Sequence, residues 1–437
     1  MKKFFTTLKN IWSIVELRDR ILITLGFLVI FRLGSYIVLP GIDPDQLSQS
    51  AGGFFGLLDT FLGGAFSKAS IFGLGIMPYI SASIVIQLLT VAMPYFQKMQ
   101  KEGESGRKKI NQITRVLTIF ICLSQSIAYI KGTIASDAIV INDTIFLFLA
   151  MIILTSGTIF CMWIGEKITD NGIGNGISML IMIGIISGFP AQLIAEMASK
   201  GLSGALLFIL EIVALFFVIV AVVALTQAVR KIPVQYAKQI VGNKVYGGQR
   251  QYIPLKVNSA GVMPIIFAQA LMFLPGMLGN YFADKNEFLA NIGYSFASFT
   301  SPAYNILLAT LIIVFTFFYT AITINPTQIA DDMKRNGGFV PGIKPGKQTS
   351  EFIDGILTKI TLPGSVFLAV VAILPAFAVI AGVTQGFATF YGGTSLLIMV
   401  GVILDTLQQV ESYLLMRHYE GMMKSGKIKG RSQVAIA

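Results

Sequence analysis

The sequence predicts an all-α polytopic membrane protein with ten transmembrane helices in two inverted five-helix halves. Three observations predict this class: the composition, ten apolar runs of near-spanning length and an internal repeat. Hydrophobic residues make up 54% of the 437 residues and charged residues only 13%, whereas soluble domains carry roughly 25% charged residues. The mean hydropathy of +0.74 excludes a soluble globular enzyme, a disordered protein and a disulfide scaffold.

The N-terminal segment 1–20 is expected to form an amphipathic helix on the cytoplasmic membrane surface. Its apolar residues, from Phe4 to Val15, recur at helical spacing between lysines and arginines, which is typical of interfacial helices. No cleavable signal peptide is expected, because the first apolar run begins only at Ile21.

Ten apolar runs follow, each close to the roughly 20 residues that cross a bilayer. They cover residues 21–39, 71–93, 114–131, 144–165, 173–195, 206–229, 258–281, 303–325, 360–381 and 392–410. A further apolar stretch, 52–67, is short, rich in glycine and interrupted by Asp59. It is therefore predicted to be a re-entrant or interfacial segment rather than a span.

The distribution of positive charge predicts the orientation. Of the 33 lysines and arginines, 28 fall in segments that the span count assigns to one side. Those segments are 1–20, 94–115, 166–172, 230–256, 331–359 and the tail 411–437. Because positive residues accumulate on the cytoplasmic side, both termini are predicted to be cytoplasmic. The net charge of +11 is attributed mainly to the same bias, with contact to nucleic acid as the alternative.

Two pairs of short strings recur between the predicted halves 21–195 and 206–410. Residues 75–80 (GIMPYI) resemble 261–266 (GVMPII), and residues 176–181 (GISMLI) resemble 393–398 (GTSLLI). Each pair is five spans apart, so its members cross the membrane in opposite directions, as in inverted repeats whose functional site lies at mid-depth between the halves. Pro78 and Pro264 occupy matching places, and each favours the start of a helix.

Ionisable residues are scarce in the predicted spans. Arg32, Asp59, Glu211 and Glu411 lie within or beside them, and none has an obvious partner in the sequence. A coupled transporter usually needs paired charges at mid-depth, whereas an apolar centre indicates a hydrophobic constriction. An ion-coupled secondary transporter is the alternative, and an assembly scaffold without a pore is a third possibility.

No catalytic, cofactor or metal site is predicted. Cys122 and Cys161 each lie inside an apolar run without metal-ligand spacing, and the segment 342–348 has the wrong spacing for a phosphate-binding loop. The chain is therefore expected not to be an enzyme and to need no cofactor.

The segments 230–256 and 331–359 are long and basic. Ordinary loops that obey the charge bias would explain them, but protruding basic loops with aromatic residues also provide docking surfaces for RNA or an acidic protein. The candidate docking residues are Arg230, Lys231, Lys238, Lys244, Arg250, Lys344 and Lys347.

Several strings, in order along the chain, resemble the SecY family of bacterial protein-translocating channels. They include FRLGSY (31–36), LGIMPYISASIVIQLLT (74–90), KEGESGRKKINQ (101–112), GIGNGIS (172–178), PLKVNSAGVMP (254–264), GGFVPGIKPGKQT (337–349) and YGGTSLLI (391–398). One departure is Lys344, where the family usually has arginine. Lysine keeps the charge but cannot form a bidentate contact, which makes partner docking there less certain.

The resemblance implies a passive channel that exports secretory chains and releases membrane segments sideways. It implies an hourglass pore closed by a ring of isoleucines: Ile80, Ile84, Ile181, Ile185, Ile266 and Ile398. It implies that segment 52–67 is a plug helix whose side chains are Phe54, Phe55, Leu57, Leu58, Asp59, Phe61, Leu62 and Phe66. It also implies a lateral gate between spans 2 and 7, with candidate residues Ser83, Gln87 and Gln269.

The resemblance further implies the partners and the location. The partners would be small membrane subunits of the SecE and SecG type, the SecA ATPase, the ribosome, the translocating polypeptide with its signal sequence, and membrane lipids. The location would be the bacterial inner membrane. No nucleotide-binding motif is present in the sequence, so a motor or a ribosome would have to supply the energy.

Overall fold

A computed structural model describes residues 12–44, 59, 62–134, 138–201, 204–236, 239–241, 244–246, 250–269, 271–272, 295–296 and 300–424. The chain divides into two compact units. The first comprises Met1–Gly188 and Val402–Ala437, and the second comprises Phe189–Gly401. The predicted N-terminal helix 1–20 lies largely outside the described residues, and its last residues belong to the first long helix.

The first unit is mainly helical in its described part. Its helices are α1 (Val15–Gly34), α2 (Met77–Ala92), α3 (Pro94–Lys101), α4 (Glu104–Thr133), α5 (Asp143–Asn171) and the first part of α6 (Gly176–Lys200). Helix α4 packs against both α2 and α5. Buried side chains of these helices form a core that includes Tyr129, Phe146 and Leu154, so burial of apolar surface holds the unit together.

Prolines set both ends of α2. Pro78 lies in its first turn, where the missing N–H has no intrahelical partner to lose, so the predicted run 71–93 is helical only from Met77. At the other end, Pro94 disfavours a helical conformation for the residue before it, and Met93 is extended. Helices α2 and α3 consequently meet at a bend of 102°. The second predicted start is also present, because helical residues 263–269 begin one residue before Pro264.

The second unit combines helices with a small sheet. Its helices are α7 (Ala205–Gln227), α8 (Pro302–Thr323), α9 (Pro326–Arg335), α10 (Lys347–Ile380), α11 (Gln385–Ala388) and the first part of α12 (Gly393–Lys424), with a 3₁₀ turn at Thr389–Tyr391. Helix α8 packs along α10, and α9 packs against α10.

The predicted basic loops contain strands, which the sequence analysis did not anticipate. The strands are β1 (Val229–Tyr236), β2 (Gln239–Val241), β3 (Lys244–Tyr246), β4 (Arg250–Lys256) and β5 (Gly338–Phe339). Strands β4, β1 and β5 form one antiparallel sheet, in which Ile232 faces Ile253 and Gln235 faces both Arg250 and Phe339. Two segments about a hundred residues apart in the chain therefore share one sheet.

A separate hydrophobic core lies against this sheet. Ile232 and Val234 point to one side of β1 and are buried, while Lys231 and Pro233 are exposed, as the two-residue period of a strand requires. They pack with Met333 of α9 and with Ile353 and Leu357 of α10. Both basic segments are thus parts of one folded body.

Seven helices among the described residues are long and apolar enough to cross a membrane, or eight if α2 and α3 form one bent span. This confirms the prediction of a mostly helical, multi-pass membrane protein. Helix α1 is not among the seven, because it carries Arg18, Asp19, Arg20 and Arg32. The seventh predicted run, 258–281, is described only as far as residue 272. The total of ten spans stays a prediction.

Candidate functional site

The six predicted ring isoleucines lie on helices or helical residues of both units. Ile80 and Ile84 are one turn apart on α2, and Ile181 and Ile185 are one turn apart on α6, so each pair shares a helix face. In the second unit, Ile266 lies among helical residues 263–269 and Ile398 lies near the start of α12. Ile185 is 0% exposed and Ile398 is 7% exposed. The ring that these residues would form stays a prediction.

The string GIGNGIS builds the start of α6, which carries Ile181 and Ile185. The Asn175 side chain caps the helix, because its Oδ1 accepts hydrogen bonds from the backbone N–H groups of Ile177 (3.1 Å) and Ser178 (3.3 Å). Gly174 adopts φ +80°, a conformation that costs an L-residue with a side chain about 1–2 kcal/mol. The glycines and the asparagine of this string are therefore explained by backbone geometry.

Two side chains that the sequence analysis missed hold this turn in place. The N–H of Ile173 donates to Thr24 Oγ1 of α1 at 3.0 Å, and the N–H of Gly174 donates to Gln409 Oε1 of α12 at 2.8 Å. Both donors belong to buried residues, and a buried N–H without an acceptor is costly. Neither contact has a local sequence signal, because the partners come from near the two ends of the chain.

Only part of the predicted plug segment belongs to the described residues. Phe54, Phe55, Leu57, Leu58 and Phe61 lie outside them, while Asp59, Leu62 and Phe66 are described. Leu62 and Phe66 are buried in the core of the first unit.

Hydrogen bonds fold this end of the segment on itself and attach it to α4. The Asp59 carboxylate accepts hydrogen bonds from the Ser67 N–H and from the Ser67 hydroxyl, both at 2.9 Å. The Tyr129 hydroxyl donates to the Phe66 carbonyl at 2.6 Å. Asp59 therefore has a hydrogen-bond partner within its own segment, Ser67, which the sequence alone does not indicate.

Arg32 also has hydrogen-bond partners, a backbone carbonyl and a tyrosine hydroxyl. Its Nη1 donates to the Gly63 carbonyl at 3.2 Å, and its Nη2 donates to the Tyr36 hydroxyl at 3.2 Å. The Tyr36 ring lies 5.1 Å from the guanidinium carbon and 4.1 Å from Lys68 Nζ, which are cation–π distances. A backbone carbonyl is an acceptor that no sequence pattern indicates.

The predicted gate residues make hydrogen bonds within their own units. Gln87 Nε2 donates to Ser83 Oγ across one turn of α2 at 3.4 Å. In the second unit, Thr394 Oγ1 donates to Gln269 Oε1 at 3.2 Å. The second contact joins helical residues 263–269 to the start of α12, which bears Ile398.

The candidate docking residues lie on and around the sheet. Arg230 and Lys231 are exposed on β1, and Lys344 and Lys347 are exposed between β5 and the start of α10. Lys244 and Arg250 belong to β3 and β4, and Lys238 lies outside the described residues. The Lys347–Glu351 ion pair has a separation of 4.0 Å and side chains that are 92% and 67% exposed, so it contributes little stability and leaves Lys347 accessible to a partner.

Glu211 forms an ion pair with a lysine that lies outside the predicted spans. Lys200 Nζ lies 2.9 Å from Glu211 Oε1 and 3.5 Å from Glu196 Oε1. Lys200 lies between two predicted spans and Glu211 lies within one, so their positions in the sequence did not indicate a pair.

Among the described residues, no group of three or more His, Cys, Asp or Glu side chains could hold a metal ion.

Comparisons with known proteins agree with this architecture. A family model described as SecY matches residues 70–407. The protein translocase subunit SecY of Streptomyces scabiei is 43% identical over 94% of this chain and 97% of its own length. A solved structure of a protein conducting channel has a TM-score of 0.62 at 18% identity, covering 90% of this chain and 92% of that chain.

Canine Sec61, solved in a ribosome–channel complex from the endoplasmic reticulum, has a TM-score of 0.58 at 16% identity, covering 90% of this chain and 92% of that chain. The solved structures support the fold, and the Streptomyces relative and the family model extend the likeness to the sequence. The chain therefore belongs to the SecY family of protein translocase subunits.

Proposed function

We propose that this SecY-family chain is the pore-forming subunit of a protein translocase and works as a passive, protein-conducting channel. The observation that carries the proposal is the placement of isoleucine pairs on single faces of α2 and α6, together with Ile266 and Ile398 at the matching repeat positions. The names of the relatives and the channel folds of the solved structures support it.

In this proposal, the six isoleucines form an apolar ring at mid-depth of an hourglass pore. A hydrated ion would have to lose water to pass between branched aliphatic side chains, and no polar group there would compensate the loss. A translocating polypeptide could press against the same side chains and keep the leak small. The segment 52–67 would close the pore as a plug helix when no chain is present.

The membrane arrangement proposed here has ten spans in two inverted halves, 21–195 and 206–410, in a bacterial inner membrane. Both termini, including the tail 411–437, would be cytoplasmic because positive charge accumulates there. A lateral gate between spans 2 and 7, near Ser83, Gln87 and Gln269, would release hydrophobic segments into lipid, where exposing them costs nothing.

The sheet formed by β4, β1 and β5, together with the lysines that follow β5, would serve as the cytoplasmic docking surface. Exposed Arg230, Lys231, Lys344 and Lys347 suit ribosomal RNA or an acidic face of a motor such as SecA. Canine Sec61 and yeast Ssh1, which have similar folds, were solved in complexes with ribosomes. Small membrane subunits of the SecE and SecG type would complete the channel.

The ring can be tested by ion conductance in vesicles that contain the purified channel and no translocating chain. Asparagine at Ile84 or Ile266 should raise the resting conductance roughly tenfold, as a barrier lower by about 1.4 kcal/mol would produce. Ile209→Asn is the matched control, because Ile209 is exposed on α7. If both ring variants insert correctly and their conductance is unchanged, the proposed ring is contradicted. Saturable, ion-coupled flux of a small solute would favour a transporter instead.

A further inference from the structure

Three ionisable side chains lie together in the second unit: two buried carboxylates and a half-buried lysine. Glu196 and Lys200 lie one turn apart at the end of α6, and Glu211 lies in the second turn of α7. Their side chains are 0%, 15% and 7% exposed respectively. We call these three residues the buried ion cluster. Charges buried to this extent are rare unless they are paired.

Lys200 is the counter-ion for both carboxylates. Its Nζ lies 2.9 Å from Glu211 Oε1 and 3.5 Å from Glu196 Oε1, and it donates a hydrogen bond to the Gly382 carbonyl at 2.6 Å. Both Glu211 oxygens and Glu196 Oε1 are buried and accept no hydrogen bond from the described residues, so the charge of Lys200 compensates them at ion-pair distance. Loss of the ammonium group would leave two like charges facing each other out of water.

The same three residues hold the segment 382–391, which joins α10 to α12. Glu196 Oε2 accepts hydrogen bonds from the Thr384 N–H at 2.9 Å and from the Thr384 hydroxyl. At the other end, the Tyr391 hydroxyl donates to the backbone carbonyl of Glu211 at 2.7 Å. Burial raises the pKa of Tyr391, and the Glu211 and Glu196 carboxylates raise it further, so the hydroxyl keeps the proton that it donates.

Aromatic contacts add to the attachment of the segment to α6. The Phe189 ring of α6 lies 5.0 Å from the ring of Phe390 and 6.2 Å from that of Phe387, within the range of favourable ring pairs. The segment is therefore attached to α6 by rings and a carboxylate, and to α7 through Tyr391. Helix α12 begins at Gly393, directly after this segment, and carries Ile398 in its second turn.

We propose that Glu196, Lys200 and Glu211 are positioning residues that fix segment 382–391 and thereby set the start of α12, on which Ile398 lies. They touch no translocating chain in this scheme and act through the backbone that they hold. The positioning itself is independent of the proposed function, but its consequence, a tight seal at Ile398, rests on that function.

Hydrogen exchange of the full chain in lipid nanodiscs tests the positioning directly. Lys200→Met keeps most of the side-chain volume but removes the counter-ion, so amides in peptides covering 382–398 should exchange about tenfold faster. The double variant Lys200→Met/Glu211→Gln removes one of the two facing charges and should return exchange to within about threefold of the unmodified chain. Lys131→Met is the control, because Lys131 is exposed at the end of α4, and it should leave these peptides unchanged.

Unchanged exchange of 382–398 in Lys200→Met would overturn the inference, whatever the channel does. If Lys200→Met does not insert into the membrane, the double variant is measured instead. The inference is also overturned if the double variant does not insert, or if its exchange over 382–398 is not within about threefold of that of the unmodified chain.

Conductance separates this inference from the proposed function. Both Lys200→Met and Ile398→Asn should raise the resting conductance of vesicles. A leak in Ile398→Asn without one in Lys200→Met would retain the ring and reject the effect of the cluster on the seal. No leak in Ile398→Asn would reject the ring, while the exchange result would still decide whether the cluster positions the segment.

Discussion

At the scale of single residues, the most constrained positions are those that satisfy the backbone. Asn175 caps α6 and Pro78 starts α2, and both roles follow from local rules that can be applied to a sequence. The side chains of Thr24 and Gln409 accept hydrogen bonds from backbone N–H groups of the turn that precedes α6. No sequence pattern around either residue indicates these contacts. Partners of buried polar groups were predictable only where the turn that joins them is short.

The turn at Gly174 gives a prediction at this scale. Gly174→Ala should lower the free energy of unfolding by about 1–2 kcal/mol, because a side chain at φ +80° is strained and its Cβ would lie 3.1 Å from Thr406 Oγ1. Gly355→Ala is the matched control. Gly355 lies inside α10 with open space around its Cβ position, so alanine there should stabilise by about 0.5–1 kcal/mol. Denaturant unfolding in detergent measures the free energy of unfolding of both variants. Equal changes in the two variants would contradict the strain at Gly174.

At the scale of elements, long apolar helices were predictable and the sheet was not. Runs such as 206–229 and 303–325 correspond closely to α7 and α8, because hydropathy over twenty residues is a strong signal. Strand β1 has only two buried positions, Ile232 and Val234, and β5 has two residues. Such short alternation does not stand out in a basic segment, and the pairing partner lies far along the chain.

The shared core predicts that one substitution disturbs both basic segments. Val234→Asp would bury an unpaired carboxylate against Met333 and Leu357, at a cost of roughly 3–5 kcal/mol. Limited proteolysis should then cleave within both 239–250 and 337–346. Val229→Asp is the control, because Val229 is exposed on the same strand, and should leave both segments resistant. Cleavage confined to the first segment would show that they fold separately.

At the scale of the whole molecule, composition predicted the class and the repeat predicted helix starts at matching places. Both starts are present, at Met77 and at residue 263. The sequence could not show that Glu211, Arg32 and Asp59 are all partnered, because their partners depend on the tertiary fold. Of the three, Glu211 has a charged partner, whereas Arg32 and Asp59 bind neutral backbone and hydroxyl groups.

The proposed lateral gate gives a prediction for the whole channel. Cysteines introduced together at Ser83 and Gln269 should form a disulfide on oxidation and block export, and reduction should restore it. The native thiols of Cys122 and Cys161 are buried, which limits competing reactions. Each single-cysteine variant, oxidised in the same way, is the control. Normal export by fully cross-linked protein would contradict a sideways exit between spans 2 and 7.

The sheet has a mechanical consequence for the second unit. Strand β1 follows α7 almost without a break, β4 leads into helical residues 263–269, and β5 leads into α10. Since the strands are hydrogen-bonded to one another, a load applied to any one of them is shared among α7, α10 and the helical residues 263–269. A protein that binds this sheet would therefore transmit force to all of these helical segments at once, without contacting them directly.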